Sequence, residues 1–141
     1  MSWDVVVLNY GSSPPADVEE MGEVGEPDPL GSATAVRELI SRHLDGVDWS
    51  DPTYGVYTGG EFTIEFPIRD EDPIDSLMLH VHGGGDAIQT LLRFAQPNNW
   101  TLFDCSTSEI IDPVSPSQEG WEGFQKLRDK YISQQDTENE T

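Results

Sequence analysis

The strongest constraint on the fold is a period-two alternation of apolar and polar residues that runs through residues 54–82 and breaks only at turn residues. Tyr54 to Thr58, the pair Gly59-Gly60, and Glu61 to Phe66 read as two strands joined by a tight turn. In the second strand Phe62, Ile64 and Phe66 alternate with Glu61, Thr63 and Glu65. Successive strand side chains point to opposite faces, so this pattern buries one face and leaves an acidic one. Asp70-Glu71-Asp72-Pro73 forms a charged turn. Ile74 to His82 then resumes the pattern, with Leu77, Leu79 and Val81 on one side and Met78, His80 and His82 on the other. A period of 3.6 cannot sort these residues, so an antiparallel three-stranded meander is predicted.

The remaining elements fall around it. Trp3 to Asn9 is β-branched and apolar and reads as a buried strand. Ser32 or Thr34 can cap a helix to about Leu44, whose stripe is Val36, Leu39, Ile40 and Leu44 and whose stop is Gly46. Gly83-Gly84-Gly85 ends the third meander strand, and Asp86 is positioned to cap a helix through Ala95. Trp100 to Asp104 reads as a strand, with a short extended piece at Glu109 to Asp112. A last helix opens at Ser117 or Gln118 and runs to about Ile132, with Trp121, Phe124, Leu127 or Arg128, and Tyr131 on one side. The order β-α-β-β-β-α-β-(β)-α predicts an α+β fold: a single, mainly antiparallel sheet with helices packed on it. Residues 1–132 form one domain in this reading, with a long acidic loop at 10–31 and a disordered polar tail at 133–141.

Charge limits the partners. Twenty-seven acids against seven bases give a net charge of −20, and no base precedes Arg37. Phosphate recognition needs clustered Lys and Arg, so neither nucleic acid nor an anionic membrane is an expected partner. A basic protein is the electrostatic complement, although acidity can also serve solubility alone. No apolar run approaches the roughly 20 residues of a membrane span. The start lacks the basic and apolar regions of a secretory signal, and the lone Cys105 cannot form an intrachain disulfide. A cytoplasmic location is therefore expected.

The most chemically suggestive segment is His80-Val-His82-Gly83-Gly84-Gly85-Asp86. Two histidines at i and i+2 share a strand face, as metal ligands can. The glycines lead into a helix N-terminus, which suits an anion. They also superficially resemble the oxyanion loop of esterases. Against these stand the missing Gly-x-Ser-x-Gly elbow, the missing third ligand beyond His43 and scattered carboxylates, and the absence of any Lys or Arg between Arg69 and Arg93. The plainer alternative is a strand turning tightly into a helix. Asp70, Glu71, Asp72 and Asp75 lack calcium-loop spacing and read as a solvated turn. Cys105 has no basic neighbour and reads as a buried or half-buried thiol. Trp3, Trp49, Trp100 and Trp121 sit near element ends, where one or two exposed rings would make interface anchors, as would Tyr54 and Tyr57.

Several stretches resemble a family of small, acidic bacterial cytosolic proteins, most of them uncharacterised. They are the Met-Ser-Trp-Asp start, Gly60 to Phe66, Asp72 to Asp86, Asn98-Asn-Trp100 and Glu119 to Phe124. The resemblance covers about residues 1–132 and includes no assigned active site. Such proteins are similar in character to immunity proteins that neutralise toxins. By that analogy the chain is a non-enzymatic, cofactor-free binder of a basic toxin domain. Asp17, Glu19, Glu20, Glu23, Glu26, Tyr54, Tyr57, Asp70, Glu71 and Asp72 are its candidate partner-binding residues. The alternatives are a small enzyme or a metal- or anion-binding domain using His80, His82, Gly83 to Gly85 and Asp86, or a housekeeping adaptor.

Overall fold

The computed structural model describes residues 2–139. Six strands make one sheet in the order β2-β3-β4-β1-β5-β6: β1 (Trp3–Asn9), β2 (Tyr54–Thr58), β3 (Phe62–Pro67), β4 (Leu77–Gly83), β5 (Trp100–Asp104) and β6 (Glu109–Ile110). Every neighbouring pair is antiparallel. The predicted meander is present as β2-β3-β4, and β1 extends it by pairing with both β4 and β5. The α+β expectation holds.

Burial alternates residue by residue along β1 and β4, as a sheet covered on one face requires. The covered face carries Trp3, Val5, Val7, Ile64, Phe66, Leu77, Leu79 and Val81, all buried. Over it lie α2 (Ala33–His43), α3 (Ala87–Ala95) and α4 (Glu119–Asn139), which contribute Val36, Ile40, Ile88, Leu91, Phe94, Trp121 and Phe124 to the same core. Phe66 and Phe94 meet edge to face at 5.6 Å, and each such fully buried ring contributes roughly 2–3 kcal/mol. No helix among the described residues is long and apolar enough to cross a membrane.

Several local expectations need correction. Residues 10–31 are not one open loop: α1 (Val18–Glu23) forms within them, capped by Asp17, whose carboxylate accepts from the Glu20 amide at 2.9 Å. Glu20 in turn accepts from the Ala16 amide at 3.1 Å, a variant of the capping box. The segment also reaches the core, since Pro15 and Leu30 are buried. Asp86 occupies the N-cap position of α3 but makes no side-chain capping bond, because its backbone (φ −95°, ψ 64°) is not in the extended cap conformation. Ser32 does cap α2, accepting from Ala35 at 3.1 Å.

β4 begins at Leu77 rather than Ile74, because Ile74 is drawn into an antiparallel bridge with Gly31. α4 continues to Asn139, since neither Gly nor Pro interrupts the run after Ile132. Residues 140 and 141 of the predicted tail lie outside the described residues. The apolar side of α4 is also shorter than expected: Trp121 and Phe124 are buried, but Leu127 and Tyr131 are exposed.

Asp104 braces Trp3, against which the start of α4 packs. This buried carboxylate accepts from the Trp3 indole at 3.0 Å and from the Ser106 amide and hydroxyl at 2.9 and 2.6 Å. A Cβ on Gly120 would stand 1.9 Å from its other oxygen, so only glycine fits there. Trp121 then packs its ring 5.3 Å from that of Trp3.

Candidate partner-binding surface

The two acidic segments that sequence reading treats separately are joined in the fold. Leu30 donates to the Ile74 carbonyl and Ile74 to the Gly31 carbonyl, both at 2.7 Å, and Asp28 pairs with Asn9 at the end of β1. These bonds fasten the α1 segment and the 70–75 turn to the same end of the sheet. Asp17, Glu19, Glu23, Glu26, Asp28, Asp70, Glu71, Asp72 and Asp75 are all exposed, and Glu20 is half-buried. Arg69 is the base within this set, and its 4.0 Å approach to Glu71 is too exposed to neutralise the field. Asp17 and Glu20 also serve α1 as cap residues, while Glu19, Glu23 and Glu26 have no such structural duty among the bonds described.

The aromatic candidates separate. Trp3, Trp100 and Trp121 are buried. Trp49 is half-buried, lying across Gly55 and donating to the Ser41 hydroxyl at 2.8 Å. None of the four is an exposed anchor. Tyr57 faces the covered side of the sheet, 6.2 Å from Phe62, whereas Tyr54 is exposed on the opposite side.

The glycine corner is a docking point for α4. Trp121 donates its indole N–H to the Gly85 carbonyl at 2.9 Å, and Arg128 donates to the Gly83 carbonyl. Gly84 donates to the Glu61 carbonyl at 2.8 Å. The Glu61 carboxylate lies where a Cβ on Gly85 would be, at 2.6 Å, so a negative group already occupies the approach an anion would use. His80 and His82 point from the other face of β4, each against a carboxylate: His80 Nδ1 is 2.7 Å from Asp4, and His82 pairs with Glu65. Among the described residues no three His, Cys, Asp or Glu side chains converge as metal ligands would. The corner brings His80, His82 and Asp86 together in sequence but not in one site. Cys105 is exposed, contrary to expectation, and partial burial together with Asp4 and Asp104 pushes its thiol pKa up, away from a reactive thiolate.

Burial pushes the Asp4 carboxyl up, but hydrogen bonds from Ser2 and His80 and the charges of His80 and His82 outweigh it, so its pKa lies below the ordinary value. A carboxylate depressed in the folded state stabilises above its unfolded pKa of about 4, and that contribution is lost as pH falls through the folded value. Asp4→Asn should therefore be less stable than the parent at neutral pH, with the gap closing below about pH 4 in urea midpoints measured across pH. A gap independent of pH would mean that the Asp4 charge contributes nothing.

Sequence reasoning missed the open face of the sheet. It takes residues 3–9 as a strand buried on both sides, yet only Trp3, Val5 and Val7 are buried while Val6 and Leu8 remain half-exposed. Val6 sits in register between Met78 of β4 and Phe103 of β5, and Phe103 pairs with Ile110 of β6. One apolar row thus crosses four strands on the uncovered face. Met78 is 44% exposed, so this row reaches solvent at β4. The available signal was the run Val5-Val6-Val7-Leu8, apolar on both faces of a strand in an otherwise one-sided sheet. An apolar cleft of about 410 Å³ borders this face at Thr101 and Ile110 and is closed by Pro14 and Pro15, and among the described residues Asp112 is the ionisable one lining it.

Compared with protein-family models, with curated proteins and with solved structures, the chain matches none.

Proposed function

We propose that the chain is an immunity-type binding protein that neutralises a cognate bacterial toxin domain by direct contact, in the cytoplasm and without a cofactor. The observation that carries this reading is the merged acidic end. The Gly31–Ile74 bridge sets ten carboxylates of the α1 segment and the 70–75 turn beside a single arginine, in a chain of net charge −20. A field of one sign suits a partner of the other, here a basic enzyme with a cationic cleft. Holding these acids on hydrogen-bonded backbone, rather than on a free tail, costs self-repulsion that solubility alone does not require. The glycine corner supports the same reading from the other side, since its carbonyls are used for packing α4 and its histidines each stand against a carboxylate.

The test is co-expression with toxin domains encoded beside this gene, followed by association kinetics over a salt series. Rescue of growth is expected, with association slowing by about tenfold or more from low salt to 0.5 M as screening shortens the Debye length, and dissociation changing far less. Failure to bind any neighbouring toxin would remove the immunity reading. Binding with a salt-independent on-rate would remove the electrostatic argument.

A further inference from the structure

We infer that the uncovered face of the sheet, centred on Met78, is where a cationic protein partner docks, an inference that rests on the binding reading above. The acidic end explains attraction but not affinity, because exposed charge pairs contribute only about 0–1 kcal/mol each. Affinity needs an apolar centre that can be dried and a rim that matches the partner in charge. The face has both. Met78, Val6, Phe103 and Ile110 form its apolar row by strand register, and Tyr54 lies on the same side of β2. The next row is polar: in strand register Glu65 stands opposite His80 and His80 opposite Asp4. Asp4 and Glu65 keep 36% and 21% of their side-chain surface, so each can accept a further hydrogen bond from a Lys or Arg.

The face is continuous with the acidic end. A depression of about 470 Å³ is lined by Pro67, Ile74, Met78 and His80 together with Glu71, Asp75 and Arg69. A ligand that lays an apolar side chain against Met78 therefore meets carboxylates of the 70–75 turn on one side and Asp4 and Glu65 on the other. That arrangement selects a segment carrying apolar residues between lysines or arginines. Charge argues against a second copy as the occupant, since two chains of net charge −20 would bring like rims together. Nucleic acid is excluded on the same ground.

The inference is tested by nuclear magnetic resonance titration of the isotope-labelled protein with two peptides of equal positive charge, one alternating Lys and Leu and one of Lys alone. The alternating peptide should shift the amides of Val6, Met78, Phe103 and Ile110 saturably, and the lysine peptide only those of the 17–28 and 70–75 segments. Met78→Ser with Phe103→Ser should weaken the alternating peptide about tenfold, as losing an apolar anchor does, with an unchanged thermal midpoint as the check on folding. Both peptides shifting only the acidic segments would overturn the docking face and leave the basic-partner proposal standing. Neither peptide binding would overturn both. Concentration-dependent dimerisation of the free protein, with shifts on the same row, would overturn it in favour of a second copy.

Discussion

Gly83→Ala is expected to lower stability by about 3 kcal/mol or more, while Gly84→Ala, one residue later, changes it by less than about 1 kcal/mol. Gly83 has φ +95°, a backbone conformation that itself costs a side chain roughly 1–3 kcal/mol. Its Cβ would also stand 2.3 Å from the Glu61 carbonyl oxygen and 2.9 Å from the Phe62 Cα. Both are backbone atoms at the entry to the paired strand, so relief requires the β3–β4 ladder to open where Phe62 pairs with Gly83. At Gly84 the nearest atom is the Gln125 amide oxygen at 3.1 Å, the end of a flexible side chain. Gly85 falls between them: φ is +74°, but the obstructing group is the Glu61 side chain, which can swing away. The expected order of urea midpoints is therefore Gly84→Ala highest, then Gly85→Ala, then Gly83→Ala. Equal losses at the three positions would contradict the described corner. An anion or metal site would instead make the effect of substitution depend on added ligand.

The fold was legible in the sequence wherever burial follows backbone periodicity. Leu77, Leu79 and Val81 against Met78, His80 and His82 sort by a period of two whatever packs on them, so the meander could be read locally. Ser32 was equally readable as a cap because the bond it makes lies within three residues. What could not be read depends on contacts across the chain. Gly31 and Ile74 are 43 positions apart, and no local pattern announces that they pair, so the union of the two acidic segments was hidden. Trp49 and Tyr57 looked like possible anchors because exposure of an aromatic depends on its neighbours, here Gly55 and Phe62. The open face escaped for the converse reason: Val6 reads as core in sequence, and only the placement of the helices on the opposite side exposes it.

Neutralising the acidic end while sparing its caps should separate attraction from folding. Glu19→Gln, Glu23→Gln, Glu26→Gln, Asp70→Asn, Glu71→Gln and Asp72→Asn remove six charges and leave Asp17 and Glu20 to hold the start of α1. Each replaced side chain is exposed, so no buried group loses a partner. Two effects of opposite sign are expected. Association with a cationic partner at low salt should slow by about tenfold or more, because steering can raise on-rates by 10–10³ and this end supplies much of the field. Stability should hold or rise by a few tenths of a kcal/mol, because like charges fixed close together repel. Above about 1 M salt the Debye length shrinks to about 3 Å, and the variant and parent should then associate at the same rate. The dissociation rate should change little throughout, since the packed centre is untouched. Stopped-flow association and urea midpoints on the same samples decide the matter. A variant that loses stability would mean that these carboxylates hold structure together, and one that associates as fast as the parent would leave the acidic end with solubility as its use.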